Sequence, residues 1–202
     1  MQKKHFTTNQ ERMRVQYEER ERYVFKQLLD TYIRNKHPEY TYECHISNIN
    51  TGCPYDTLLF IRDKDDNIVK KYFVEIKVRS VDYGDKYFLE QRKLNSLKKE
   101  QKFHNDYELL YVQFTPKRTL IFPLSEMIEN KSLGKRKIEM MNAYTFADTQ
   151  NKRNKMIYEL DENDAIELKY AYSDEEFDKW YKSRNEIKQP VIKKTTKVES
   201  LF

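Results

Sequence analysis

The chain has 202 residues, of which 35% are charged, and a formal net charge of +5. Three glycines leave no room for a Gly-rich phosphate-cradling loop, the two cysteines and four histidines lack zinc or triad spacing, and no apolar run approaches membrane length. Size and composition together predict one decorated domain in a soluble, cytoplasmic protein without a signal peptide, and they set nucleotide-binding folds aside.

Residues 8–36 are predicted as one long helix, with Thr8 or Asn9 as N-cap and Glu11 behind it. Tyr17, Glu21, Val24, Phe25, Leu28, Leu29, Tyr32 and Ile33 fall along one side at helical spacing. Glu21 is the one acid on that stripe. It is either a snorkelling boundary residue or a carboxylate directed into a site from the first helix, with Glu18, one turn earlier, as the reserve.

Residues 54–79 are the most informative stretch. Pro54, Tyr55 and Asp56 open an apolar run at 57–61, residues 63–67 form a polar turn, and 68–80 resume as a strand. Asp63, Asp65 and Asn67 imitate the start of a calcium loop, but Ile68 stands where that loop needs glycine. In the second strand Val74, Ile76 and Val78 alternate with Glu75 and Lys77, which puts the last two on one face, about 7 Å apart. Antiparallel pairing lays Asp56 beside Glu75. Two carboxylates and an ammonium on a half-buried strand cost desolvation unless they are paired or hold a cation. Asp56, Glu75 and the Ile76 carbonyl are the hard donors that Mg²⁺ prefers, and Lys77 is placed to assist a water attack on a phosphate. Glu-x-Lys occurs five times, at 75, 100, 129, 167 and 186. Of the other four, only Glu167–Lys169 has strand-like surroundings, and it lacks an upstream strand that opens with an acid.

Glu21, Val24 and Leu28 on a helix, then the strand TYECHIS, then PYD, then VEIK resemble the PD-(D/E)xK nuclease superfamily. The match is nearest to small Holliday-junction-resolvase-type and EVK-motif members and covers about residues 8–124. The resemblance implies an α/β, restriction-endonuclease-like αβββαβ core that cleaves DNA with Mg²⁺, Mn²⁺ substituting, and leaves a 5′-phosphate and a 3′-hydroxyl. It further implies metal ligation by Asp56 and Glu75, a catalytic Lys77 and an accessory acid at Glu21. One departure is Tyr55, which separates Pro54 from Asp56 where the pattern joins them. Homodimerisation, common among small members, is expected.

Residues 82–85 form a turn, and 88–103 are predicted as a helix with Leu89, Leu94 and Leu97 inward. Lys86, Arg92, Lys93, Lys98, Lys99 and Lys102 outnumber Asp85, Glu90 and Glu100, as a phosphate-binding face requires. Gln91 resembles the glutamine that some family members carry after the Glu-x-Lys strand, where it hydrogen-bonds a phosphate or base. Closing strands follow at 109–114 and 119–122. Beyond them, 125–130 is predicted as a short capped helix, 131–137 (KSLGKRK) as a basic loop, and 155–160 with 165–172 as a hairpin or strand and turn. Ser173 and Glu176 form a capping box ahead of an aromatic helix face of Phe177, Trp180 and Tyr181.

Three segments result: a nuclease-like core at 1–124, an elaboration packed on it at 125–187, and a flexible tail at 188–202. The terminal VESLF resembles sliding-clamp-binding peptides, although Val198 replaces their usual first glutamine. The Lys-, Asn- and Tyr-rich composition points to an AT-rich genome such as that of a phage or mobile element. A metal-dependent DNA endonuclease acting in recombination, repair or replication is the expectation. The alternatives are a nucleic-acid-binding or assembly module without cleavage and a sequence-specific restriction or homing endonuclease.

Overall fold

A computed structural model describes residues 8–47, 53–80, 87–142 and 152–187. These form two compact units divided after Tyr172. The turn at 82–85, Lys86 and the tail at 188–202 lie outside the described residues, as do the side chains of Thr8 and Asn9.

The first helix, α1 (Thr8–Gln27), runs on through a π-helical segment (Leu28–Ile33) into the short α2 (Arg34–Lys36). Val24, Phe25, Leu28 and Leu29 are buried along the stripe legible in the sequence. Ideal helical spacing drifts away from a fixed face, and the wider π turn rotates less per residue. Tyr32 and Ile33 therefore stay packed on the same core.

Three strands follow as an antiparallel meander: β1 (Thr41–Ile46), β2 (Thr57–Arg62) and β3 (Ile68–Val78). The chain then passes through β4 (Tyr87–Glu90) and α3 (Gln91–Phe103) to β5 (Glu108–Phe114), which pairs in parallel with β3. β6 (Thr119–Pro123), α4 (Leu124–Glu129), β7 (Lys135–Asn142), β8 (Lys152–Leu160), a 3-10 turn (Glu162–Asp164) and β9 (Ile166–Leu168) complete the unit. The product is an α/β unit with a mixed six-stranded sheet, ordered β1-β2-β3-β5-β6-β9, and a three-stranded sheet, ordered β4-β8-β7.

Alternation along β3 divides the core into two layers. Val74, Ile76 and Val78 join Val24, Phe25 and Leu28 of the first helix on one face. Phe73 joins Tyr111 with Leu94 and Leu97 of α3 on the other. Burying each of those leucines contributes about 1.5–3 kcal/mol. The end of β3 is thus held between two helices, one on each face of the sheet.

Several elements differ from the sequence expectation, each through pairing with a distant segment. Residues 88–90, expected in a helix, belong to β4, because Tyr87–Glu90 finds a partner in β8 some 70 positions on. The helix starts at Gln91, and Leu89 is buried from a strand. Lys135, Arg136 and Lys137 open β7 and are not part of a loop. The 155–160 and 165–172 segments do not pair with each other: β8 joins the small sheet, while β9 extends the large one beside β6. Ser125 does not cap its helix. Its Oγ accepts the Leu109 N–H at 2.9 Å and a Gln101 side-chain N–H at 3.0 Å.

In the second unit, α5 (Asp174–Ile187) begins where Ser173 Oγ accepts the Glu176 N–H at 3.3 Å. The rings of Trp180 and Tyr181 lie 5.8 and 5.6 Å from that of Phe177. No helix among the described residues is long and apolar enough to cross a membrane.

Candidate active site

The polar groups at the end of β3 come from four elements. Asp56 stands one residue before β2, and the antiparallel ladder fixes it: its N–H donates to the Val74 carbonyl at 2.9 Å, and its own carbonyl accepts from the Ser47 N–H and Oγ, each at 3.0 Å. Anchored in this way, the Asp56 carboxylate reaches the next strand and accepts the Ile76 N–H at 2.7 Å.

Glu75 and Lys77 share the face of β3 that looks toward α3. Glu75 accepts two hydrogen bonds from Lys93 Nζ of α3, at 2.9 and 3.0 Å. Lys77 turns to the first helix and donates to Glu21 Oε1 at 2.9 Å. That same oxygen faces the Val78 N–H at 3.5 Å. Tyr17, one turn before Glu21, lies with its ring 4.7 Å from Lys77 Nζ and donates its hydroxyl to the Val78 carbonyl at 2.5 Å. Glu75 and Lys77 stand in register with Tyr111 and Gln113 of β5. Tyr111 Oη donates to Gln113 Oε1 at 3.0 Å, so the floor beside the acids carries polar groups.

Among the described residues only two charged side chains are buried, Glu21 and Glu75, and both are here. Burial pushes the Glu75 carboxyl up to about 8, and the nearby charge of Asp56 adds to it against the pull of Lys93. Burial likewise raises Glu21, with Asp56 adding to the shift and Lys77 opposing it. Burial opposes charge on Lys77, but Glu21 and Tyr17 together outweigh it and its pKa is raised. Lys93 is raised mainly by Glu75.

The structure therefore brings Asp56, Glu75, Lys77 and Glu21 together. Glu18 points elsewhere and pairs with Arg14 at 2.8 Å. The other strand-borne Glu-x-Lys is an exposed feature of β9, where Glu167 is bound to Arg118 at 2.6 Å. Of the predicted phosphate-binding residues, Arg92, Lys98 and Lys99 are exposed on α3 and Gln91, half-buried, begins that helix. Lys93 is different. It lies on the side of α3 that meets the sheet and holds Glu75. Its position one turn before Leu97 was the available signal. The sequence signal for Tyr17 was its place one turn before Glu21 on the same stripe.

Three acids, Asp56, Glu75 and Glu21, converge here with two ammoniums, Lys77 and Lys93, and carboxylates in their charged form are the donors that a hard divalent cation suits. No three His, Cys, Asp or Glu side chains among the described residues are grouped to hold a metal. Here Lys93 and the Ile76 N–H engage the two carboxylates, and the third expected donor, the Ile76 oxygen, is backbone. No family model, no curated protein and no solved structure matches the chain.

Proposed function

We propose that this protein is a metal-dependent DNA endonuclease with a restriction-endonuclease-like core. The observation that carries the reading is the placement of the two buried acids, Glu21 and Glu75, against Asp56 and Lys77 at the end of one strand. Burying carboxylates disfavours folding, and a site that concentrates them suits work on a cation. The order helix, three-stranded meander, helix, parallel strand, in α1, β1 to β3, α3 and β5, supports the same reading.

Asp56, Glu75 and the Ile76 carbonyl would hold Mg²⁺, or Mn²⁺ in its place, which supplies Lewis acidity toward a phosphate oxygen and an attacking water. In hydrolysis that water gives up a proton to solvent as its oxygen bonds to phosphorus, the bond to the 3′ oxygen breaks, and the 3′ oxygen takes a proton from solvent. Lys77, with its raised pKa, acts as a fixed positive charge near the phosphate and not as the base. Glu21 and Tyr17 hold its ammonium in place. Arg92, Lys98 and Lys99 offer an exposed basic face to the phosphate backbone.

One observation favours a binding module without cleavage: Glu75 and Glu21 already have ammonium partners. A restriction or homing enzyme would share the chemistry and differ in substrate. The deciding experiment incubates supercoiled plasmid, linear duplex, four-way junction, flap and single-stranded DNA with wild type and Glu75→Ala, in Mg²⁺, Mn²⁺ or EDTA. Metal-dependent cutting by wild type and none by Glu75→Ala is expected. Binding without cutting of any substrate selects the binding module.

A further inference from the structure

β7 and β8 pair from Lys135↔Glu159 to Asn142↔Lys152, but β4 covers β8 only over Ile157–Leu160. Past Ile157 the small sheet continues as a two-stranded ribbon. Cross-strand register puts Arg136, Ile138 and Met140 of β7 on one face with Met156, Asn154 and Lys152 of β8. Ile138 is 62% exposed and Met140 66%. They are the exposed large apolar residues of this sheet.

The charge around them is one-sided. The two strands carry Lys135, Arg136, Lys137, Lys152, Arg153 and Lys155 against Glu139 and Glu159. Both acids are taken by Lys137, and Lys155 is bound to Glu90 of β4 at 2.6 Å. Lys135, Arg136, Lys152 and Arg153 are exposed and form no ion pair among the described residues. Two lie at each end of the paired strands: Arg136 and Lys152 share the face of Ile138 and Met140 and stand on either side of them, while Lys135 and Arg153 lie on the opposite face. At ~3.3 Å per residue, Arg136 and Lys152 stand roughly 20 Å apart along one face.

We propose that the β7–β8 ribbon is a duplex-DNA contact: Arg136 and Lys152 bind phosphates on the two sides of a groove, Ile138 and Met140 face the base edges between them, and Lys135 and Arg153 on the other face add to the positive charge that draws the duplex in. This rests on the reading of the protein as acting on DNA and identifies a surface for it outside the acidic site. A two-stranded ribbon fits the major groove, and apolar side chains there contact the thymine methyl. A second copy of the chain is a poorer occupant. β7 is the sheet's edge strand, and its run Lys135, Arg136, Lys137 is the type of charge that blocks edge-to-edge pairing. The ribbon is tied to the candidate site through β4: Glu90, which holds Lys155, is followed at once by α3, the helix that bears Lys93.

The test is fluorescence anisotropy with a labelled duplex in EDTA over a range of salt, so that cleavage plays no part. The variants are a quadruple one, Lys135→Ser with Arg136→Ser, Lys152→Ser and Arg153→Ser, and a double one, Ile138→Ser with Met140→Ser. The quadruple variant should bind at least tenfold more weakly, with its salt slope reduced by about 0.9 for every phosphate it no longer neutralises. The double variant should bind several-fold more weakly with the slope unchanged, and both should melt at the wild-type temperature. Wild-type affinity and slope in the quadruple variant overturn the proposal, as does a wild type that binds no duplex. A double variant that turns a dimer into a monomer in sedimentation, with DNA binding intact, reassigns the ribbon to self-association. Failure to cut in Mg²⁺ alongside the expected weakening of binding overturns the nuclease reading and leaves the ribbon standing.

Discussion

Lys77 Nζ donates to Glu21 Oε1 at 2.9 Å across 56 positions of sequence and ties the central strand to the first helix. Each is the other's main compensation: the Glu21 side chain is 8% exposed and that of Lys77 17%. Residues expected to serve chemistry thus also hold two elements together.

Lys77→Ala should therefore abolish cleavage and also destabilise the fold, by about 3–5 kcal/mol, because it strands a buried carboxylate. Glu21→Gln combined with Lys77→Met should recover much of that stability and none of the activity. Urea denaturation of wild type and the two variants in EDTA checks this. Wild-type stability in Lys77→Ala would show that the pair is energetically idle.

Glu75 makes stability depend on pH. Its folded pKa of about 8 lies above the ordinary 4.5, so between those values the folded state retains a proton that the unfolded state has lost. The contribution is fully present below the ordinary value and is lost as pH rises toward 8, at up to about 1.4 kcal/mol per unit. In EDTA, wild type should become less stable across this window, and Glu75→Gln should flatten the profile. Glu21, raised in the same direction, leaves a residual slope in that variant.

Lys93 occupies the carboxylate that a cation would use. Lys93→Gln should bind Mn²⁺ several-fold more tightly in isothermal titration and be less stable than wild type in EDTA. Weaker binding would mean that Lys93 helps to shape the ion site and does not compete for it.

Gly134 has φ of +76°, and a Cβ there would lie 1.8 Å from the Glu159 carbonyl oxygen. Gly134→Ala should lower the melting temperature by several degrees, since backbone must move to admit the methyl group. Hydrogen exchange should show the destabilisation concentrated at the start of β7.

The parts of this design legible in sequence are those set by local periodicity. Two-residue alternation identifies Glu75 and Lys77 as facing one way, and the 57–61 run, the polar turn and the 68–80 run foretell the β2–β3 pairing that seats Asp56. The helical stripe singles out Glu21. What the sequence withholds depends on distant partners. YFLE reads as the start of a helix until β8 claims it, and KRK reads as a loop until it opens β7. Lys93 reads as one cation among six, because only the depth of α3 against the sheet separates it from Arg92 and Lys98.

Order of synthesis gives β9 a further significance. β1, β2, β3 and β5, with the acids of the candidate site, leave the ribosome well before Ile166–Leu168. Until that segment arrives, the outer side of β6 carries unpaired backbone groups on a strand that includes Leu120 and Phe122, both buried in the finished fold. The last strand among the described residues closes an edge that nascent or truncated chains would offer to one another, and the Arg118 ion pairs with Glu162 and Glu167 help to latch it in place.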